Sequence, residues 1–295
     1  MSEKPLTGET KLVDGKSYTV NQAMLRSSHE TRSPIAKAAK VLLAASWAAG
    51  MILSPKVRSL SGATALASAT AIGILYIAMS SSKTISASVT SKLLPALLQD
   101  LDNEMGEIRT ELLKDMKGKV LDFGAGDGHY LAYIAKYKDQ VESVTSLEPL
   151  QALHPLIEKR AAKLDLPEME IYGKFSSDLL RERGPNQYDF IILGNVLCEV
   201  PDQSAVLQDI YELLRPGGKI FYMEHVASHE GTLTNKLQRL INPLWKVISG
   251  GCNCNRHSLR SLEAMPWKMH EWELRMSFPL IERMVMGIAI KSTNV

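Results

Sequence analysis

The stretch Val120-Leu121-Asp122-Phe123-Gly124-Ala125-Gly126-Asp127-Gly128-His129-Tyr130 decides the reading of this chain. An apolar run ends on an acid, three glycines follow at alternate positions, and a helix-forming segment begins at Tyr130. That order predicts a strand, a glycine turn and the first turn of a helix. Glycine reaches backbone conformations closed to other residues, so such a turn lets a ligand approach N–H groups at the helix start with no Cβ in the way.

Downstream, apolar runs alternate with amphipathic segments. The pattern predicts strands at Val120–Phe123, Val144–Leu147, Glu170–Gly173, Phe190–Leu193 and Lys219–Glu224. Helices are expected between them at Tyr130–Tyr137, Gln151–Leu164 and Ser204–Leu214. A long segment from Ala227 to about Lys268 follows, and then two more candidate strands, near Glu271–Met276 and Met284–Ile290. Strand and helix alternating in this way build a parallel sheet covered by helices on both faces. The run Phe190-Ile-Ile-Leu193, with no polar alternation, suits a strand buried on both sides. The expected class is therefore α/β, a Rossmann-like sheet of seven strands.

Upstream, Leu94, Leu97, Leu98, Leu101, Met105, Ile108, Leu112 and Met116 recur at helical spacing, which predicts an amphipathic helix over Ser91–Met116 packed on the edge of the sheet. The domain is thus expected to span 91–295. Residues 1–32 are polar, carry both charge signs and read as a flexible tail. Residues 33–90 read as a hydrophobic helical region with two apolar stretches, Val41–Leu53 and Ser59–Ser82. The second is long enough to cross a bilayer of about 30 Å at about 1.5 Å per residue. Membrane lipid is the partner expected for this region, through a hairpin, a single span with an interfacial helix, or, failing that, two helices packed on the domain.

Composition narrows the functional classes. The chain has 295 residues, 34 basic against 32 acidic, and a net charge of +2, which gives no nucleic-acid footprint. Three cysteines are too few for a disulfide framework and suit a domain facing a reducing compartment. Cys252-x-Cys254 followed by His257 matches no common zinc spacing, so these read as loop residues and no metal is expected. No feature sets the oligomeric state.

The glycine turn fits neither common phosphate motif. The dinucleotide fingerprint needs a glycine at the sixth place counted from Gly124, where His129 stands, and no Gly-x-x-x-x-Gly-Lys-Ser/Thr occurs. Asp122-x-Gly124-x-Gly126-x-Gly128 instead resembles the turn of class I S-adenosylmethionine-dependent methyltransferases. The resemblance implies that Gly124, Ala125, Gly126 and Gly128 receive the methionine moiety of S-adenosylmethionine and that Asp122 meets its ammonium group. It also implies that Glu148, ending strand two, accepts from both ribose hydroxyls. Residues after strand three, Phe175 to Asp178 and Ser177 among them, would meet the adenine. Asn195, in the loop after strand four, would lie beside the sulfonium. Leu214-Arg-Pro-Gly-Gly218 is common in that family and reads most simply as a helix stop and tight turn.

The second half carries a narrower resemblance. Val196-Leu197-Cys198, Met223-Glu-His-Val-Ala227, Asn242-Pro-x-Trp245 and Gly251-Cys252-Asn253 with Arg256 are similar to the alkyl-thiol methyltransferases of the group called methyltransferase-like protein seven. That group carries a hydrophobic N-terminal anchor and associates with endoplasmic reticulum membrane and lipid droplets; a mitochondrial membrane is the alternative. The chain departs from it in a longer N-terminal region, in Ala125 where a Cys is usual, in Gly250 for an acid and in the additional Cys254. The implied activity is methyl transfer to a small, apolar acceptor, with a thiol favoured and a quinone, other isoprenoid or secondary metabolite as the alternative; a membrane-anchored assembly factor that merely keeps the fold is the reading from a different class. A thiol of pKa about 8.5 has a useful thiolate fraction near neutral pH, which a basic or polarising neighbour would raise. Ligands of open α/β sheets bind at the C-terminal strand ends, which selects His225 and Glu199, with Glu224 second. Trp245 and Trp267 are candidates for the acceptor-pocket wall, or for core packing.

Overall fold

The computed structural model describes residues 105–249, 251–275 and 281–293. The tail at 1–32, the apolar region at 33–90 and the first part of the amphipathic helix lie outside the described residues. The helix is seen over residues 105–112 and is called α1. The elements that follow are β1 (Gly118–Phe123), α2 (Leu131–Lys136), β2 (Val141–Leu147), α3 (His154–Ala161), β3 (Glu168–Tyr172), α4 (Ser176–Arg183) and β4 (Tyr188–Gly194). The chain continues through α5 (Gln203–Leu213), β5 (Leu214–His225), α6 (Leu233–Ile248), α7 (Ser258–Glu263), β6 (Trp267–Arg275) and β7 (Arg283–Lys291).

The strands form one seven-stranded sheet in the order β3-β2-β1-β4-β5-β7-β6. The first five run parallel. β7 lies antiparallel to β5, and β6 antiparallel to β7. Winding turns from one direction to the other between β1 and β4, and in an open sheet that reversal leaves a crevice at the carboxyl ends of those strands.

Side chains alternate across a strand, and here both faces are covered. Val120, Val144, Phe190, Ile192, Phe221 and Met223 point to one side and pack with Leu131, Ile134 and Ile157 from α2 and α3 and with Ile108 and Leu112 from α1. Leu121, Leu147, Ile191, Leu193 and Ile220 point to the other and meet Leu179, Leu207, Ile210, Leu213 and Leu262 from α4, α5 and α7. α1 does not lie along the sheet edge as expected. Arg109, within its buried face, donates to the sulfur of Met223 in the interior strand β5, so the helix crosses the sheet face.

All seven expected strands are present, several of them starting earlier than their apolar runs. β2 begins at Val141 and includes Glu142 and Ser143, because parallel neighbours supply backbone hydrogen bonds whatever the side chain. Leu214-Arg-Pro-Gly-Gly218, expected as a turn, ends α5 and opens β5 at once. Gly217 has φ +77°, and the ladder shifts register between Tyr188 and Phe190 opposite it. The stretch from Ala227 to Lys268 folds α6 and α7, for which the sequence reading assigned no element.

Candidate active site

The glycine turn joins β1 to α2 and sits at the β1/β4 reversal. Gly124, Gly126 and Gly128 have φ of +69°, +58° and +80°, the left-handed region that a Cβ disfavours. At Gly124 a second constraint applies, since a Cβ there would stand 2.7 Å from a methyl of Val196 in the loop after β4. The close approach locks that loop onto the turn. At Gly126 a Cβ would meet only the Gly124 carbonyl, at 4.0 Å, which leaves the centre of the turn sterically open.

Four of the turn's N–H groups, those of Gly124, Ala125, Gly126 and Gly128, already have acceptors within the protein. Gly124 and Ala125 donate to the Leu147 carbonyl at 2.9 and 3.0 Å, and Gly128 donates to the Ala125 carbonyl at 2.8 Å. Gly126 donates to Glu148 Oε2 at 2.9 Å. Close by, Asp122 Oδ2 and Asn195 Oδ1 are both buried acceptors with no partner among the described residues. Oxygen acceptors left without a partner suit a ligand that brings cationic or hydroxyl donors.

Burial dictates the electrostatics here. Asp122 is 1% exposed, and its carboxyl is pushed up to about 7 by desolvation, with Glu148 and Asp127 adding to the shift. Glu148 is raised by burial as well, against the opposing hydrogen bonds from Leu150 and Gly126. Each of its oxygens accepts one backbone N–H, which leaves lone pairs for two hydroxyls. Asn195 holds φ +57° while its N–H donates to the Met223 carbonyl at 2.7 Å. The Tyr130 hydroxyl is buried against Gly194, unpartnered, and raised to about 12 by desolvation.

The sequence-predicted cofactor residues are thus mostly brought together. Gly124, Ala125, Gly126, Gly128 and Glu148 are joined by hydrogen bonds with Leu147, Asp122 lies beside them at the end of β1, and Asn195 reaches them through the approach of Val196 to Gly124. Ser177 does not join them by any contact; it is exposed in the first turn of α4. The unpartnered oxygens of Asp122 and Asn195, the acceptor capacity of Glu148 and the open centre at Gly126 together fit S-adenosylmethionine, whose ammonium and sulfonium are cations and whose ribose donates two hydroxyls.

Beside this unit, the second group of predicted residues meets two cysteines. His225 Nε2 lies 2.8 Å from Cys252 Sγ, and the indole N–H of Trp245 donates to the same sulfur at 3.2 Å. Cys198, in the loop after β4, completes a cluster in which the ligand atoms of Cys198, His225 and Cys252 all lie within 4.8 Å of one another. Hydrogen bonding from Cys198, together with the charge and contact of His225 and the Trp245 N–H, holds the Cys252 thiol well below its ordinary range. Cys198 is raised by that same hydrogen bond and by burial. Burial opposes charge on His225, but the Cys252 thiolate and Glu224 outweigh it and raise its pKa.

Glu199 is exposed and stands against Gly251 beside this cluster, and its carboxyl is raised, by desolvation first and then by the Cys252 charge. Glu224 is fully buried and accepts from the N–H groups of Val196 and Leu197 at 2.7 and 2.9 Å, so it positions the loop after β4. Trp267 packs in the core and donates to the Leu262 carbonyl, far from this cluster in its contacts. The cysteine cluster was not foreseen. Cys252 has Cys254 and His257 as its neighbours in sequence, but Cys254 turns away to Gln238 and Asn242. The only sequence signal was that Cys198, His225 and Cys252 each fall inside a quoted motif.

Comparisons with known proteins agree with this geometry. A family model described as a methyltransferase domain matches residues 97–271, more than half of the chain. Human thiol S-methyltransferase TMT1A is 26% identical over 178 residues, covering 59% of this chain and 71% of that protein. Thiol S-methyltransferase TMT1B of Rattus norvegicus is 27% identical over 157 residues, covering 51% of this chain and 62% of that protein, under two thirds of its length. Among solved structures, an O-methyltransferase family protein from Burkholderia thailandensis is similar in fold, with a TM-score of 0.50 at 16% identity over 66% of this chain and 57% of that one. With the glycine turn and buried unpartnered acceptors at the β1/β4 reversal and a family match across the domain, the chain belongs to the methyltransferase-domain family and is an S-adenosylmethionine-dependent methyltransferase.

Proposed function

We propose that the protein methylates the sulfur of a small, apolar thiol. The observation that carries this reading is the convergence, at one end of the sheet, of the loop Asn195–Glu199 with His225 and Cys252, beside the turn that receives the cofactor. The relatives named as thiol S-methyltransferases support the choice of sulfur. When bound, the cofactor supplies a methyl group made electrophilic by its sulfonium. Asp122 and Asn195 are the residues to accept from its ammonium, and Glu148 from its ribose. The protein's remaining work is to hold a nucleophile in line at about 3 Å and to keep water out. Glu199, beside the cluster, is the group proposed to take the acceptor proton. His225 acts on the acceptor's charge from within the cysteine cluster.

The proposal extends to location. The described residues contain no helix long and apolar enough to cross a membrane. The apolar region at 33–90 is proposed to attach the protein to a membrane, with endoplasmic reticulum or lipid droplet as the site and the catalytic domain facing a reducing compartment. Within the described residues α6 supports this. Its side chains at Leu233 and Leu240 are 73% and 77% exposed, while Gln238 on the opposite side is fully buried. The helix attaches to the domain by its polar side, through Asn235 to the Ser228 carbonyl and Gln238 to the Ser228 N–H. Lys236, Arg239 and Lys246 are exposed, and the helix carries no acid. An apolar face flanked by bases is the pattern of a helix seated in the headgroup region of a bilayer.

The test is to incubate full-length protein with methyl-labelled cofactor and a panel of alkyl thiols, phenols and quinones. Label should appear in the thiols. Transfer to phenols or quinones alone would reassign the acceptor, and transfer to none would remove the enzymatic reading of the acceptor pocket. Gly126→Arg fills the open centre of the turn and should abolish all transfer. For the membrane, carbonate extraction should leave the protein in the pellet, and release into the supernatant would sink the anchoring proposal.

A further inference from the structure

We infer that Cys198, His225 and Cys252 form a three-ligand site for a divalent cation of the zinc class, with a fourth position open to the acceptor sulfur. The second half of this inference rests on the thiol reading above; the first half does not.

Three arguments lead to it. The donor set is two thiolates and an imidazole, which is the combination that borderline-soft ions select over calcium or magnesium. The three residues come from separate parts of the chain, yet their ligand atoms converge within 4.8 Å. A tetrahedral zinc ion has ligand atoms about 3.6 Å apart, given Zn–S of about 2.3 Å and Zn–N of about 2.0 Å. The 2.8 Å separation of His225 Nε2 from Cys252 Sγ then opens by less than about 1 Å on loading.

The ligands are also braced in the manner of a metal site. Trp245 donates its indole N–H to Cys252 Sγ. The Cys198 carbonyl is held twice by Asn253, from its N–H at 3.0 Å and its side-chain amide at 2.9 Å. The loop carrying Cys198 is fixed by Glu224 through the N–H groups of Val196 and Leu197. Two thiolates and a neutral imidazole around a dication sum to no net charge, which permits burial of Cys198 and His225. Cys252 is only half-buried, so the open position lies on its side of the cluster, where Glu199 stands.

A site with three protein ligands and one vacancy is the catalytic form of zinc coordination. An acceptor R–SH entering it binds through sulfur as the thiolate, and its proton passes to the Glu199 carboxylate. The sulfur lone pair then forms the bond to the methyl carbon as the bond from that carbon to the departing sulfur breaks, and the neutral thioether product leaves the metal. Coordination thus keeps the acceptor ionised at a pH where a free thiol is mostly protonated.

The experiment is metal analysis of full-length protein purified under reducing conditions, followed by replacement with cobalt(II). We expect about one equivalent of zinc in the wild type and in Cys254→Ser, whose cysteine lies outside the cluster, and less than a tenth of that in Cys198→Ser and Cys252→Ser. Binding of the cofactor product S-adenosylhomocysteine, measured by calorimetry, reports that each variant is folded and should stay within about threefold of wild type. The cobalt form should show thiolate-to-metal charge-transfer absorption, and its visible bands should move when a short alkyl thiol is added. Wild-type protein that takes up no stoichiometric metal, or equal metal in folded Cys252→Ser, would overturn the site, as would thiol mapping that finds Cys198 and Cys252 joined in the purified protein. Thiol methylation at full rate by demetallated enzyme would remove the metal and keep the thiol reading. Stoichiometric metal with no thiol transfer would keep the site and remove the thiol reading.

Discussion

At the scale of single residues, Asp122 shows how a binding group is made at the expense of the apo fold. Its carboxyl titrates near 7 instead of near 3.8 because burial penalises the charge, with Glu148 and Asp127 adding to it. A folded pKa above the unfolded one means the native state holds the proton more tightly, so this group's contribution to stability falls as pH rises from about 4 to about 7. Asp122→Asn should therefore raise the melting temperature of the cofactor-free protein at pH 8, at about 2–4 °C for each kcal/mol relieved. The same change should weaken S-adenosylhomocysteine binding by about 10- to 100-fold, the loss of one charge-assisted hydrogen bond. In the wild type, affinity should decline below pH 7 by up to about tenfold per unit as the carboxyl protonates. Calorimetry across pH 5.5–8.5 checks the direction, and a flat profile would remove Asp122 from the ammonium site. Two glycines of the turn separate strain from contact. Gly126→Ala meets only the left-handed backbone cost of about 1–2 kcal/mol, whereas Gly124→Ala adds the clash with Val196 and should cost roughly 1 kcal/mol more. Val196→Ala should restore that excess in the double variant, measured by denaturant unfolding.

At the scale of elements, the loop after β4 is held from two sides: the glycine turn presses Val196, and Glu224 of β5 gathers the N–H groups of Val196 and Leu197. Glu224→Ala leaves those two groups without this acceptor, at about 1–3 kcal/mol each, so the melting temperature should drop by several degrees and KM for the acceptor should rise. Glu224→Gln keeps an oxygen acceptor in place and should recover most of both effects. If Gln and Ala behave alike, the charge and not the hydrogen bonding is what the loop needs. The strands themselves were legible from apolar runs because burial on both faces of a parallel sheet demands them. α6 was not, for its apolar positions lie on the solvent side and its buried side is polar. A reading that looks for apolar residues inside has no rule for such a helix.

At the scale of the whole molecule, α6 carries both the cysteine cluster's neighbour and the exposed leucines, since Trp245 of α6 touches Cys252 while Leu233 and Leu240 face outward. A protein seated on a membrane by those leucines would have its acceptor end within one helix width of the bilayer. Replacing Leu233, Leu237 and Leu240 together by Ser should lower the rate on a long-chain thiol dissolved in anionic vesicles by about tenfold, the effect of losing some tens of Å² of buried apolar surface per side chain. The rate on a short, water-soluble thiol should stay within about twofold. Equal losses on both substrates would mean that the leucines support the fold and not the membrane contact.

The sequence by itself determined the sheet, its strand succession and the cofactor turn, because each of these is written in local order: apolar runs, an acid, and glycines at alternate positions. Neighbouring residues suffice to state such features. The tertiary structure alone decided that four of the turn's N–H groups find acceptors within the protein, that α1 crosses the face of the sheet, and that Cys252 meets Cys198 and His225 instead of Cys254 and His257. Those facts depend on which strand ends and loops the fold brings within a few ångströms. Residues far apart in the chain acquire a shared chemistry only when the sheet order places their strand ends side by side.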